Sequence, residues 1–190
     1  MKTVVILMIC IISFSGDLHA QDSAKIQKTN PIIYVEAGLG YAQTKIGYIE
    51  AQAAANYQFN KNLITARSTV IFSLNQDQSQ EHAILFGRRY INGERSLSYS
   101  LGASWNRVDI YNYSSFNVTK RNEIYLGLPF EVAITWFNER KEKANVLGYF
   151  PFGKPFALGG GAGFKILGNL SSHSYIAIGF VIGFGFYKHY

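Results

Sequence analysis

The sequence predicts an all-β fold, an eight-stranded antiparallel up-and-down transmembrane β-barrel. Three observations carry that prediction. Apolar residues recur at every second position over segments of about 9–11 residues or more, the length a tilted strand needs to cross a bilayer. Charged residues make up 16% of the chain, with 14 Phe, 13 Tyr, 18 Gly and only 4 Pro, whereas a soluble domain carries about 25% charged residues. Residues 1–20 read as an export signal.

In that signal Lys2 supplies the positive start, Thr3 to Phe14 the apolar run, and Ala20 the small residue at cleavage, leaving Gln21 as the new N-terminus. The run is too short to span a bilayer as a helix. Cys10, the one cysteine, lies inside it behind bulky Ile9, which a lipoprotein signal does not tolerate, so a mature chain holds no disulfide. Strand-to-strand hydrogen bonds must then hold the fold. The net charge of +6 survives cleavage, because Lys2 and Asp17 leave together; a basic balance attracts anions such as phosphates. Later apolar runs are broken every second or third position. For a membrane chain that leaves a closed barrel, since lipid offers unpaired backbone groups no partner.

The expected strands follow in order. Segment 33–42 sets Val35, Ala37, Leu39 and Tyr41 opposite Tyr34, Glu36 and glycines. Segment 48–59 alternates Ile49, Ala51, Ala53, Ala55, Tyr57 and Phe59 with Tyr48, Glu50, Gln52, Ala54, Asn56 and Gln58. In 63–74, Ile64, Ala66, Val70, Phe72 and Leu74 oppose Thr65, Arg67, Thr69 and Ser73. In 82–91 the adjacent Arg88 and Arg89 must point opposite ways, which leaves the register of this strand open; Arg89 is the one carried into the internal network below. Segment 96–106 alternates Leu97, Tyr99, Leu101, Ala103 and Trp105 with serines, Gly102 and Asn106. Segment 123–137 is the clearest: Ile124, Leu126, Leu128, Phe130, Val132, Ile134 and Trp136 form one unbroken apolar face, with Glu131 on the other. Segment 156–167 sets Phe156, Leu158, Ala162, Phe164 and Ile166 against glycines and Lys165. Segment 175–187 sets Ile176, Ile178, Phe180, Ile182, Phe184 and Phe186 against a face of small residues, which a narrow barrel accepts.

Asn60-Lys61-Asn62 and Asn92-Gly93-Glu94-Arg95 read as tight turns at one end. The polar stretches 75–81 and 106–122 read as loops at the other. Residues 138–154 break the pattern: they lie on the tight-turn side yet are long, charged to Lys143 and then aromatic, with Pro151 and Pro155 against a central strand. They extend a neighbouring strand, fold under the barrel floor or meet a partner. Outward Tyr57, Phe59, Tyr99, Trp136, Phe184 and Phe186 fall at the tight-turn rim, and Tyr41, Phe72 and Trp105 at the other, as two aromatic girdles.

With signal, strand count, alternation and an aromatic C-terminus (Ile182, Phe184, Phe186, Tyr190; Lys188 departs from the pattern), the chain resembles the small eight-stranded outer-membrane barrels typified by outer-membrane protein A and its smaller X relative. The resemblance covers the whole mature chain and rests on no identifying motif. It implies the outer membrane of a Gram-negative bacterium, with outer-membrane lipid, lipopolysaccharide and the barrel-assembly machinery as partners. The division is then a signal peptide at 1–20, a short periplasmic segment at 21–31 and the barrel at 32–190, its tight turns periplasmic and its long loops extracellular.

An eight-stranded barrel is filled by side chains. Glu36, Glu50 and Glu131 point inward, and Arg67, Arg89 and Lys165 answer them as an internal ionic network, because a buried carboxylate needs a partner. The loop 106–122 offers Arg107, Tyr111, Tyr113, Phe116, Lys120 and Arg121 as a surface-binding site for an extracellular ligand that the sequence does not name. No catalytic residue, cofactor, metal or nucleic-acid partner is expected. His173 and Ser174 are sequence neighbours and so face opposite ways, no carboxylate is placed to orient a histidine, no two histidines have ligand spacing, and Gly159–Gly163 lacks the Lys-Ser/Thr of a phosphate loop. The expected function is a non-enzymatic integral outer-membrane barrel with a structural or surface-interaction role. The alternatives are a lipid-modifying barrel enzyme and a secreted, soluble, lipocalin-like carrier, which would turn its apolar faces inward. Strand length, girdles and the aromatic terminus favour lipid.

Overall fold

The computed structural model describes residues 32–44, 48–72, 78–114, 117–137, 142–146, 150–156 and 158–186. The strands are β1 (Ile32–Gln43), β2 (Ile49–Phe59), β3 (Asn62–Phe72), β4 (Gln78–Asn92), β5 (Arg95–Ser114), β6 (Asn117–Phe137), β7 (Glu142–Val146), β8 (Phe150–Phe156), β9 (Leu158–Leu170) and β10 (Tyr175–Phe186). Eight of them close a barrel in the order β1-β10-β9-β6-β5-β4-β3-β2. Every neighbouring pair is antiparallel, including the closing pair of β1 and β10. Closure leaves no sheet edge along the shared wall.

The alternation becomes geometry directly. Along β2 exposed or half-buried positions alternate with buried ones through Phe59, with Glu50, Gln52, Ala54, Asn56 and Gln58 buried inside the barrel. On β6 the apolar face is outermost: Leu126 is 81% exposed while Glu131 is 2% exposed. This is an inside-out protein, apolar to the surroundings and polar within, the arrangement of a membrane-spanning barrel.

At one end the strands meet in two-residue turns. Asn60 holds φ 56 and Gly93 φ 59, left-handed values that Asn and Gly adopt with least strain. The other end departs from expectation. Residues 106–114 and 117–122, read as part of a loop, are strand. β5 and β6 stay paired from Asp109↔Asn122 to Ser114↔Asn117. Among the described residues β4 accompanies β5 as far as Asp109, and β9 accompanies β6 to Leu128. The hairpin therefore rises past the barrel wall as a two-stranded ribbon. Its sequence carries polar residues at both parities, so hydrophobic alternation fades there although the ladder continues.

The 138–154 connection also differs. Glu142–Val146 and Phe150–Phe156 pair with each other as a sheet separate from the barrel. Phe156 thus ends β8 rather than opening the next barrel strand. A two-stranded ribbon is all edge, which is how Pro151 and Pro155 are accommodated.

Candidate functional site

Inside the barrel the side chains stack in three layers. At the tight-turn end Ile32, Tyr34, Leu63 and Phe137 pack together, with Ile91 against them. At the long-strand end Ala42, Ile71, Leu167, Tyr175 and Ala177 form a second apolar cluster. Between the two lies an ionic layer.

Arg67 on β3 is the centre of that layer. Its guanidinium donates through Nη2 to Glu81 Oε1 at 2.6 Å and through Nη1 to Glu131 Oε2 at 3.1 Å. Lys165 on β9 ion-pairs with Glu36 on β1, and its Nζ lies 3.5 Å from Glu131 Oε2. Asn169 carries the network onward: its amide nitrogen donates to Glu81 and is 2.8 Å from Ser104 Oγ and 2.9 Å from Asn106 Oδ1. The chain of contacts thus ties β1, β9, β6, β3, β4 and β5 across the lumen. Three carboxylates (Glu36, Glu81, Glu131) face two cations (Arg67, Lys165), all buried. Buried charges of this kind persist only when paired and hydrogen-bonded.

Of the six residues read as a network, four meet: Glu36, Arg67, Glu131 and Lys165. Arg89 is inward, and it is Arg88 that faces out, yet Arg89 sits in another layer. It donates to Gln58 Oε1 at 3.3 Å and Ser96 Oγ at 3.0 Å, and stands over the rings of Tyr34 (4.7 Å) and Phe137 (5.4 Å). It therefore joins the polar layer to the apolar cluster at the tight-turn end. Glu50 is 0% exposed and neither carboxylate oxygen has a hydrogen-bond partner among the described residues. Glu81 and Asn169 were missed because their strands run further than the alternation suggested. Glu81 shares parity with inward Ala83, and Asn169 with inward Lys165; that signal was available.

Gly127 on β6 marks how tightly the layer is packed. A Cβ there would run into the Asn169 side-chain amide. Gly127→Ala is expected to destabilise the barrel by about 1–3 kcal/mol, the usual cost of overpacking. Urea titration in detergent micelles checks it, and a midpoint at or above that of the parent protein would refute the packing described.

Of the residues read as girdles, Tyr41, Tyr57, Phe72, Tyr99, Trp105, Trp136, Phe184 and Phe186 are exposed and Phe59 is half-buried. Tyr48 does not face inward with Glu50, as its parity suggested. It precedes β2, where strand parity no longer governs it, and it stacks on Tyr41 with centroids 6.2 Å apart. At the other rim Tyr90 stacks on Tyr99 at 6.2 Å, and Tyr57 lies 5.8 Å from Phe59.

On the protruding ribbon the proposed binding residues divide between its two faces. Arg107, Tyr111 and Lys120 share the outward face. Asp109 accepts from Arg107 Nε and Lys120 Nζ, each at 3.1 Å, and Lys120 lies 5.5 Å over the Tyr111 ring. Arg121 lies on the opposite face and pairs with Glu123 at 2.7 Å. Tyr113 is placed by its backbone alone, and Phe116 lies outside the described residues.

A carboxylate does meet a histidine, contrary to expectation. His173, in the β9–β10 turn, has Nε2 2.8 Å from Glu123 Oε2 and its ring 5.1 Å from that of Tyr125. The turn folds over the mouth of the lumen, a long-range contact that strand parity does not reveal. The His173 hydrogen bond holds the Glu123 carboxyl below its ordinary range. The contribution of the Glu123 carboxylate is therefore present above the ordinary carboxylate midpoint of about 4.3 and is lost as pH falls through the lowered value. Ser174 stays apart: its Oγ donates to Ser171 O at 2.8 Å and closes the turn.

The fold and its lumen define a class, a closed eight-stranded barrel with an ionic core and an apolar exterior. Among solved structures the chain is similar to Neisserial surface protein A, at 9% identity and TM-score 0.53, covering 83% of this chain and 97% of that one. It is also similar to the N-terminal β-barrel domain of Pseudomonas aeruginosa OprF (9% identity, TM-score 0.46, 80% and 97% covered). A third is Ail, the attachment invasion locus protein of Yersinia pestis, solved with the heparin analogue sucrose octasulfate (10% identity, TM-score 0.48, 83% and 97% covered). No family model matches the chain, and no curated protein matches its sequence.

Proposed function

We propose that the chain is a non-enzymatic integral outer-membrane β-barrel, exported through a cleaved signal peptide, with a plugged lumen and a structural or surface-interaction role. One observation supports the reading: two buried apolar clusters and a set of buried ion pairs lie inside the barrel, while the exterior is apolar. Such a barrel has no aqueous path for solutes. Its tight turns then face the periplasm and the β5–β6 ribbon faces outward, where Arg107, Tyr111 and Lys120 are offered to an extracellular ligand. Lipopolysaccharide is the lipid partner in that leaflet, and the barrel-assembly machinery the partner during insertion.

A lipid-modifying enzyme needs a nucleophile beside its histidine. His173 has Glu123, but the serine next to it is held by its own turn. A soluble carrier would turn its apolar face inward, and here that face is outward.

The test has two arms. In planar bilayers the purified barrel is expected to give no stepwise conductance; discrete porin-like steps would reject the plug. In cells, a protease site placed after Ser114 is expected to be cut from outside while one placed at Gly93 is protected. The reverse pattern, or a mature chain that does not begin at Gln21, would reject the corresponding part of the reading.

A further inference from the structure

Between Gln80 at one rim and Arg88 at the other, the outward wall of β2 to β5 is apolar except at two described positions, Ser68 and His82. These two stand directly opposite each other in the β3–β4 register. Their row continues to the rim tryptophan, as His82 pairs with Trp105 on β5 and Ser68 with Ala53 on β2. Beside and below the pair the wall is hollowed into a groove of about 810 Å³, because Ala53, Ala55 and Ala66 on β2 and β3 put nothing larger than a methyl group on the floor, with Ala103 on the far side of Ile84. Ile84 and Trp105 are among its walls. Above the pair, Gln80 and Arg107 are register partners on the same outward face, and Lys120 reaches the same Asp109 that Arg107 holds.

A hydroxyl and an imidazole facing hydrocarbon are costly without partners. No side-chain hydrogen bond is found for His82 among the described residues, and it is exposed. The order along the wall is apolar hollow, then two hydrogen-bonding groups, then cations. That order matches an anionic lipid laid along the strand: acyl chain, carbonyl linkage, phosphate. Two cations against one Asp109 carboxylate leave the head position positive, complementary to such a lipid.

We propose that this groove is a binding site for one anionic lipid of the outer leaflet. The acyl chain fills the alanine floor, the carbonyl linkage accepts hydrogen bonds from Ser68 and His82, and the phosphate meets Arg107 and Lys120. The pair binds the linkage and does not cleave it. The strand amides around Ser68 are committed to the barrel ladder, so no oxyanion hole faces the groove. The inference rests on the membrane-spanning reading above.

Trp105 makes it measurable. The chain has two tryptophans, so Trp136→Phe leaves Trp105 alone as a reporter on the groove wall. The protein is reconstituted in phosphatidylcholine vesicles containing a minor fraction of phosphatidylglycerol with brominated chains, which quench tryptophan on contact. Quenching is expected at roughly three-fold or more the share set by mole fraction, a preference short of the tenfold that 1.4 kcal/mol gives. Brominated phosphatidylcholine at the same fraction should quench at its share. Ala66→Phe, which fills the floor, and the pair Arg107→Gln/Lys120→Gln should each return the anionic lipid to its share, whereas Ile178→Phe on the far wall should not. Heat-modifiable gel mobility verifies that each variant is folded. Quenching of the Trp136→Phe protein at bulk share, or enrichment that survives Ala66→Phe, overturns the site and leaves the membrane reading standing. Absence of quenching in vesicles made wholly of brominated phosphatidylcholine overturns the membrane reading itself.

Discussion

Arg67→Met is expected to destabilise the barrel by about 3–5 kcal/mol, the range for breaking a buried pair by removing one partner. The side chain touches Glu81 at 2.6 Å and Glu131 at 3.1 Å, and all three groups are buried. Without it, three carboxylates share Lys165, which pairs with Glu36 and only approaches Glu131. Methionine keeps most of the volume, so the loss reports charge rather than a cavity. The measurement is the urea midpoint in detergent micelles, read by tryptophan emission and by gel mobility. Glu131→Gln alone should cost less, because Arg67 keeps Glu81. Adding Glu81→Gln and Glu131→Gln to Arg67→Met should recover much of the loss, since the two carboxylates that Arg67 held are then neutral and Lys165 is left to Glu36 and Glu50. A midpoint within experimental error of the parent for Arg67→Met would mean that the ionic layer contributes nothing to the fold.

Period two made most of this structure legible, because inward and outward positions must alternate in a strand whose faces meet different media. All eight barrel strands follow from it, as does the inward aim of Glu36, Glu50, Arg67, Glu131 and Lys165. Parity assigns a side, but it does not assign a level along the barrel axis. Which cation meets which carboxylate depends on the shear of the closed sheet, and the pair Arg67–Glu131 joins strands that are not neighbours. Arg89 therefore has the expected side but sits with Gln58, Ser96 and two aromatic rings, and Glu50 has the expected side without a hydrogen bond to either cation. Strand ends failed for another reason. Beyond the apolar band both faces of a strand are polar, so Glu81 merges with the preceding Gln76–Gln80 run and the β5–β6 ribbon reads as loop. The alanine groove is invisible for a third reason. Ala53, Ala55 and Ala66 each count as apolar, and only their adjacency on β2 and β3, with Ala103 beyond Ile84, makes a hollow.

Phe180→Arg carries the second large effect and tests the direction of the inversion. Phe180 stands mid-strand on β10, outward, between Leu39 on β1 and Phe164 on β9, with its ring 5.8 Å from that of Phe164. A cation on the lipid face near the midplane of such a barrel costs about 2–4 kcal/mol, falling toward zero at the interfaces. The same substitution at Tyr41, in the rim girdle, should therefore cost about 1 kcal/mol or less. A difference of that size between two outward positions has no source in water, where both side chains would be equally hydrated. Unfolding from lipid vesicles measures it. Equal costs at Phe180 and Tyr41 would place the apolar face in an aqueous or protein environment, and with it Arg67 and its carboxylates would lose the reason for being paired across a lumen. The ionic core and the greasy wall are thus one claim: the charges are inside because the outside has no water to hold them.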